Sequence, residues 1–178
     1  MKIRKLYRIE SAHIVKNAYS QRCSHSYHGH SGVIEVFFKS DKLDNAGMIF
    51  DFGAMKTTIG SFLDMFDHSV HLWDKDEKGI GFFSDVNERY IILPCNPTAE
   101  NYCILFRDCI NEILRKSHKY SGVGEVKCIG VRYHETVTGY AESEEDDPVK
   151  YSIKNIKFSP SILNEASEDI KEIIKESI

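Results

Sequence analysis

Two stretches near the start of the chain alternate with a two-residue period, and that alternation limits what the rest can be. In KIRKLYRIESAH, Ile3, Tyr7, Ile9 and Ser11 share one face and His13 ends it. In HGHSGVIEVFFKS, His28 and His30 fall on the same face as Ile34, Val36 and Phe38. Each stretch predicts a strand with one side turned to a core. Both apolar faces run into histidine.

The loop VKNAYSQRCSHSY separates these strands, and DKLDNAG reads as a turn. From Asp51, placed as an N-cap, the spacing of Phe52, Met55, Ile59, Phe62, Leu63 and Phe66 predicts a helix. Residues 73–93 read as an irregular insertion. NPTAENYCILFRDCINEILRK predicts a second helix with an apolar stripe through Tyr102, Leu105, Phe106, Cys109, Ile113 and Leu114. GEVKCIGVRYHE predicts a third strand, with Ile129, Val131, Tyr133 and Glu135 on one face. The acidic run 142–147 reads as a solvated loop. VKYSIKNIKF predicts a fourth strand whose apolar phase slips between Ile153 and Ile156. A tail, 161–178, carries an amphipathic helix with Ile170, Ile173 and Ile174 on one side. Two strands, two helices, two strands and a tail helix predict an α+β chain with an antiparallel sheet, and one domain over 1–160.

Charge excludes several classes of partner. With 23 basic against 27 acidic residues and a net charge of −4, nothing marks a nucleic-acid or anionic-membrane surface. No apolar run is long enough for a membrane span, and the start lacks an export signal. Five cysteines, odd in number and without CxxC spacing, argue for a reducing cytoplasm rather than a disulfide framework.

His28 and His30, two residues apart on one strand, can reach the same ion, and His13 at the end of a neighbouring face could supply a third ligand. Three imidazoles leave a tetrahedral ion one open position, the pattern of catalytic zinc, which acts as a Lewis acid towards oxygen. His25, His71, His118 and His134 read as non-ligands. Cys23 sits in a polar loop and is not core filler. Close to a dication it could serve as a general base, or else close the site as a fourth ligand. Asp67-His68 directly follows the predicted first helix, where a carboxylate beside an imidazole can tune a proton donor. Glu135 ends an apolar strand face and needs a cationic or hydrogen-bonding partner. The guanidine-like edge of a heterocycle would match it. Glu100, in the first turn of its helix, could favour the helix dipole or bind a ligand.

Taken in order, ESAH, Cys23, HGHS, GMIFDF, FDH, PTAEN and YHET resemble the 6-pyruvoyl-tetrahydropterin synthase family over roughly residues 3 to 140. That family includes the 6-carboxy-tetrahydropterin synthases of queuosine biosynthesis. The resemblance implies the tunnelling fold: a four-stranded antiparallel sheet with two helices on one face, assembled into trimers and usually hexamers. It implies Zn2+ on His13, His28 and His30, with Cys23 as catalytic base and Asp67 with His68 as proton relay. Glu135 would hold the pterin and join the relay, and Glu100 would be a second pterin anchor. The implied substrate is 7,8-dihydroneopterin triphosphate. Its products would be 6-carboxy-tetrahydropterin, acetaldehyde and triphosphate in the queuosine branch, or 6-pyruvoyl-tetrahydropterin in the synthase that only eliminates triphosphate. A pterin-binding protein without turnover is the third alternative, against which the joint presence of Cys23, Asp67 and His68 speaks.

The chain departs from the family pattern in places. Four residues separate Cys23 from His28, a spacing between those usual in the queuosine-type and biopterin-type members. No glutamate lies between them, unlike the folate-branch variant. Leu72 stands one residue further from Asp67 than usual. The insertion 73–93 and the tail lie outside the common core.

Overall fold

Strands β1 (Lys2–His13) and β2 (His28–Lys39) pair antiparallel along their whole length, from Lys2 opposite Lys39 to His13 opposite His28. This computed structural model describes residues 1–120 and 124–177, and the side chain of His118 lies outside what it describes. The pairing brings the histidine ends of the two apolar faces side by side. A short helix, α1 (Gln21–Ser24), sits in the loop between them and carries Cys23.

Among the described residues the sheet has seven strands, not the expected four, and it is mixed rather than antiparallel. Its order is β6-β5-β2-β1-β3-β4-β7, with β3 (Ser69–Trp73), β4 (Tyr90–Leu93), β5 (Lys127–Thr136), β6 (Gly139–Glu142) and β7 (Lys157–Phe158). β3 runs parallel to β1, but only Ser11–His13 of β1 pair with it. The rest of that edge has no strand beside it among the described residues. The segment expected to be an irregular insertion carries α3 (Glu77–Val86) and β4, which is parallel to β3. Asp76 caps α3, accepting from the Gly79 amide at 3.2 Å.

The fourth strand of the β5-β2-β1 layer is β6, reached by a tight turn from Thr136 to Gly139, and not residues 149–158. The phase slip read there as a bulge is a 3-10 turn, Ile153–Asn155, whose three-residue period buries both Ile153 and Ile156. A bulge does occur opposite Phe37 and Phe38, and it turns Cys128 rather than Ile129 into the core.

Regular helix in the first predicted helical stretch is confined to α2 (Ile59–Asp64). Residues 52–58 form successive turns instead. Gly53, Gly60 and the β-branched pair Thr57-Thr58 are poor helix formers, and the Gly60 amide bonds the Met55 carbonyl at 2.7 Å. Met55, Ile59, Phe62, Leu63 and Phe66 still reach the core, whereas Phe52 stays half-exposed. The long helix α4 (Ala99–Lys116) forms as expected, with Thr98 capping the Asn101 amide. Its Tyr102, Leu105, Phe106, Cys109 and Ile113 meet Ile9, Ile34, Val36, Phe38, Val131 and Tyr133 of the sheet. Each buried Ile, Leu or Phe side chain contributes about 1.5–3 kcal/mol through removal from water. The tail forms two helices, α5 (Pro160–Glu165) and α6 (Glu168–Ser177), which bury Ile162, Ile170 and Ile173 against the same core.

Candidate metal centre and active site

The register of β1 on β2 places His13 directly opposite His28, and one step further along β2 on the same face lies His30. Ring centroids are 4.7 Å apart for His13–His28, 5.0 Å for His13–His30 and 4.9 Å for His28–His30. One nitrogen from each lies within 4.8 Å of the others. Among the described residues no cysteine or carboxylate joins this group of candidate ligand atoms, so Cys23 is not part of it.

Outer contacts set the tautomers. A backbone carbonyl can only accept, so His13 donates from Nδ1 to Pro97 O at 2.7 Å, and His28 from Nδ1 to Ser26 O at 3.0 Å. Each bond leaves Nε2 with its lone pair free. Burial, reinforced by His28 and His30, lowers the pKa of His13 to about 4. Burial lowers His30 too, against the opposing carboxylate of Glu135 and with the help of His28. Neutral imidazoles are what a metal ion requires.

The test of fit to a metal lies in two atoms. His13 Nε2 and His30 Nε2 are buried without a hydrogen-bond partner. An unpartnered buried nitrogen is costly, and a shared cation removes that cost for both at once. The donor set fits zinc, which takes imidazole nitrogen readily.

Glu135 ends β5 beside this cluster, its Oε1 3.6 Å from His13 Nε2 and 4.0 Å from His30 Nε2. Cys23 lies half-buried on α1, and its carbonyl accepts from the Val15 amide at 2.9 Å, which ties the loop to the end of β1. Glu100 is exposed in the first turn of α4, three residues beyond the Pro97 carbonyl that orients His13.

Asp67 and His68 form a close pair, Nδ1 to Oδ2 at 2.7 Å, but elsewhere. The Glu10 amide donates to Asp67 Oδ1 at 2.6 Å, and the His68 amide donates to the Glu10 carbonyl at 2.6 Å. Burial opposes ionisation of Asp67, but the Glu10 amide and His68 outweigh it and hold the carboxyl below its usual range. Glu10 and Ala12 alternate with Ser11 and His13, so they face the opposite side of the sheet. There, with Gly29, Ser31 and His68, they line an open hollow of about 540 Å³. His30 and Ser11 line the same hollow, and among the described residues Asp67 and His68 make no hydrogen bond to the three histidines. Among the described residues Glu135 makes no hydrogen bond to Asp67 or His68, and its Oε1 stands beyond hydrogen-bond range of His13 and His30.

Two of the histidines set aside in the sequence have structural partners. His71 is fully buried, bonded to Tyr102, Phe66 and Ser69, and His134 pairs with Glu35 at 2.6 Å. His25 bonds Ser24 on the surface. The carbonyls of Pro97 and Ser26 were beyond sequence reasoning, because any residue type supplies a carbonyl.

Residues 2–146 match the protein family described as 6-pyruvoyl tetrahydropterin synthase. A 6-carboxy-5,6,7,8-tetrahydropterin synthase of Helicobacter pylori strain J99 is 41% identical over 144 residues, 80% of this chain and 72% of the relative. One from Aquifex aeolicus is 35% identical over 125 residues, 67% of this chain and 74% of its own length. Among solved structures, an uncharacterized Wolinella succinogenes protein aligns with TM-score 0.62 at 19% identity, covering 82% of this chain and 98% of the other. Caenorhabditis elegans 6-pyruvoyl tetrahydropterin synthase aligns with TM-score 0.55 at 19% identity, covering 81% and 94%. These two likenesses are of fold.

Proposed function

Because the chain belongs to the 6-pyruvoyl tetrahydropterin synthase family and is a lyase of it, we propose that it acts on 7,8-dihydroneopterin triphosphate with zinc. Its products are 6-carboxy-tetrahydropterin, acetaldehyde and triphosphate, a step towards queuosine. The observation that carries the reading is the trio His13, His28 and His30, two of whose Nε2 atoms are buried without a partner. The Helicobacter and Aquifex relatives bear the name of the 6-carboxy synthase, which favours that product over the 6-pyruvoyl one.

His13, His28 and His30 would hold the zinc. Bound there, it supplies Lewis-acid polarisation of an oxygen. Glu135, beside the cluster, accepts two parallel hydrogen bonds from the guanidine-like edge of the pterin and fixes its orientation. Glu100, exposed at the start of α4, is the second anchor. Cys23 takes the proton from the substrate side chain as thiolate, and Asp67 holds His68 to deliver or remove another.

Two strand edges support a homo-oligomer: β1 before Ser11, and β6 on its outer side. No described helix is long and apolar enough to cross a membrane, and we place the enzyme in the cytoplasm.

Acetaldehyde release from dihydroneopterin triphosphate tests the reading. Acetaldehyde in step with triphosphate is expected. Triphosphate without acetaldehyde would assign the 6-pyruvoyl product instead, and neither product would leave a pterin-binding protein.

A further inference from the structure

The segment 73–93 and the tail, which lies beyond the family match over residues 2–146, meet at the Asp67–His68 turn. Arg89, between α3 and β4, donates from Nη2 to the Asp67 carbonyl at 3.0 Å and from Nε to the His68 carbonyl at 3.2 Å. Its Nη1 pairs with Glu165 at the end of α5. The turn it grips is unusual, for His68 has a φ of 52°, in the left-handed region that a side chain disfavours. Such a backbone persists only where its surroundings over-determine it. Here Glu10 holds it from the β1 side and Arg89 from the insertion side.

We propose that Arg89 is a positioning residue for the Asp67–His68 relay, itself oriented by Glu165, so that insertion and tail together set the relay's geometry. This rests on the reading of Asp67 and His68 as the relay. The planar fork of a guanidinium reaches two carbonyls and a carboxylate at once; an ammonium is a point donor on a flexible stem. Glu165 is 67% exposed, and an ion pair so wet adds little stability. Its consequence is expected in the site rather than in the melting temperature.

Steady-state kinetics of the zinc-loaded full chain test this, with Arg89→Ala, Arg89→Lys, Glu165→Gln and His68→Ala compared. Arg89→Ala is expected to lower kcat by about tenfold to a hundredfold with KM and zinc content unchanged. Arg89→Lys should recover part of the loss. Glu165→Gln should lose less than Arg89→Ala, and the double variant should be no worse than Arg89→Ala alone. Unchanged kcat with a lower unfolding temperature in Arg89→Ala would make Arg89 a fold residue and overturn the proposal. If Arg89→Ala does not fold, Glu165→Gln decides: a reduced kcat supports the proposal and an unchanged one overturns it. A fully active His68→Ala overturns the relay reading, and this inference with it. An inactive His68→Ala beside an unaffected Arg89→Ala overturns this inference alone.

Discussion

His13 donates its Nδ1 proton to the carbonyl of Pro97 at 2.7 Å, and that bond decides which nitrogen faces the other two histidines. The segment that begins α4 thereby fixes the ring at the end of β1. Such an outer contact orients a metal-binding imidazole and raises its basicity.

Replacing the facing residue of that pair of strands should remove the metal. His28→Ala is expected to bind less than about a tenth of the zinc held by the unaltered chain, by elemental analysis after dialysis, because a metal site that loses one of three ligands loses most of its affinity. Full occupancy would reject the three-histidine assignment.

Cys23 should behave differently. Cys23→Ala is expected to keep its zinc and lose turnover by about a hundredfold or more, the range of a missing general base. A zinc-depleted variant would make the thiol a ligand.

Glu135 stands between these two cases, 3.6 Å from His13 Nε2. Glu135→Gln is expected to raise KM about tenfold or more at constant zinc content, since a hydrogen bond to a charged group is worth about 1.5–3 kcal/mol. Loss of zinc in that variant would place the carboxylate on the ion.

The metal-free chain should lose stability on mild acidification. Burial, against the pull of the Phe66 carbonyl and with His13 adding to it, lowers the pKa of His71 to about 3, and that of His13 is about 4. Unfolded, both take up protons below about pH 6.5. Folded, they do not until the pH is far lower. The unfolded state thus binds more protons as pH falls, and stability present above about pH 6.5 declines. Carboxylates held low in the fold, such as Glu112 at about 2, lose their contribution only in more acid solution. The urea midpoint should therefore drop between about pH 7.5 and about pH 5, and drop less in His71→Asn. Equal midpoints would contradict this.

How much of this was legible follows from the kind of contact involved. The two-residue period placed His13, His28 and His30 on one face, because strand geometry is local. Their convergence needed only that β1 and β2 be neighbours. The Asp67–His68 pair was readable, but its anchoring to Glu10 was not. That depends on β3 running parallel to β1, a non-local choice that no local pattern in residues 69–73 announces. The stretch around Ile153 and Ile156 misled for a related reason, since a three-residue apolar spacing fits a slipped strand as well as a 3-10 turn. Arg89 had no signature at all, because its partners are two carbonyls and a carboxylate distant in sequence.

The most direct measurement is zinc X-ray absorption on the loaded protein. A first shell of nitrogen and oxygen at about 2.0–2.1 Å, with imidazole scattering and no sulfur, is the predicted result. Sulfur at about 2.3 Å would put Cys23 on the ion, and the division between three ligating histidines and a free catalytic thiol would fail.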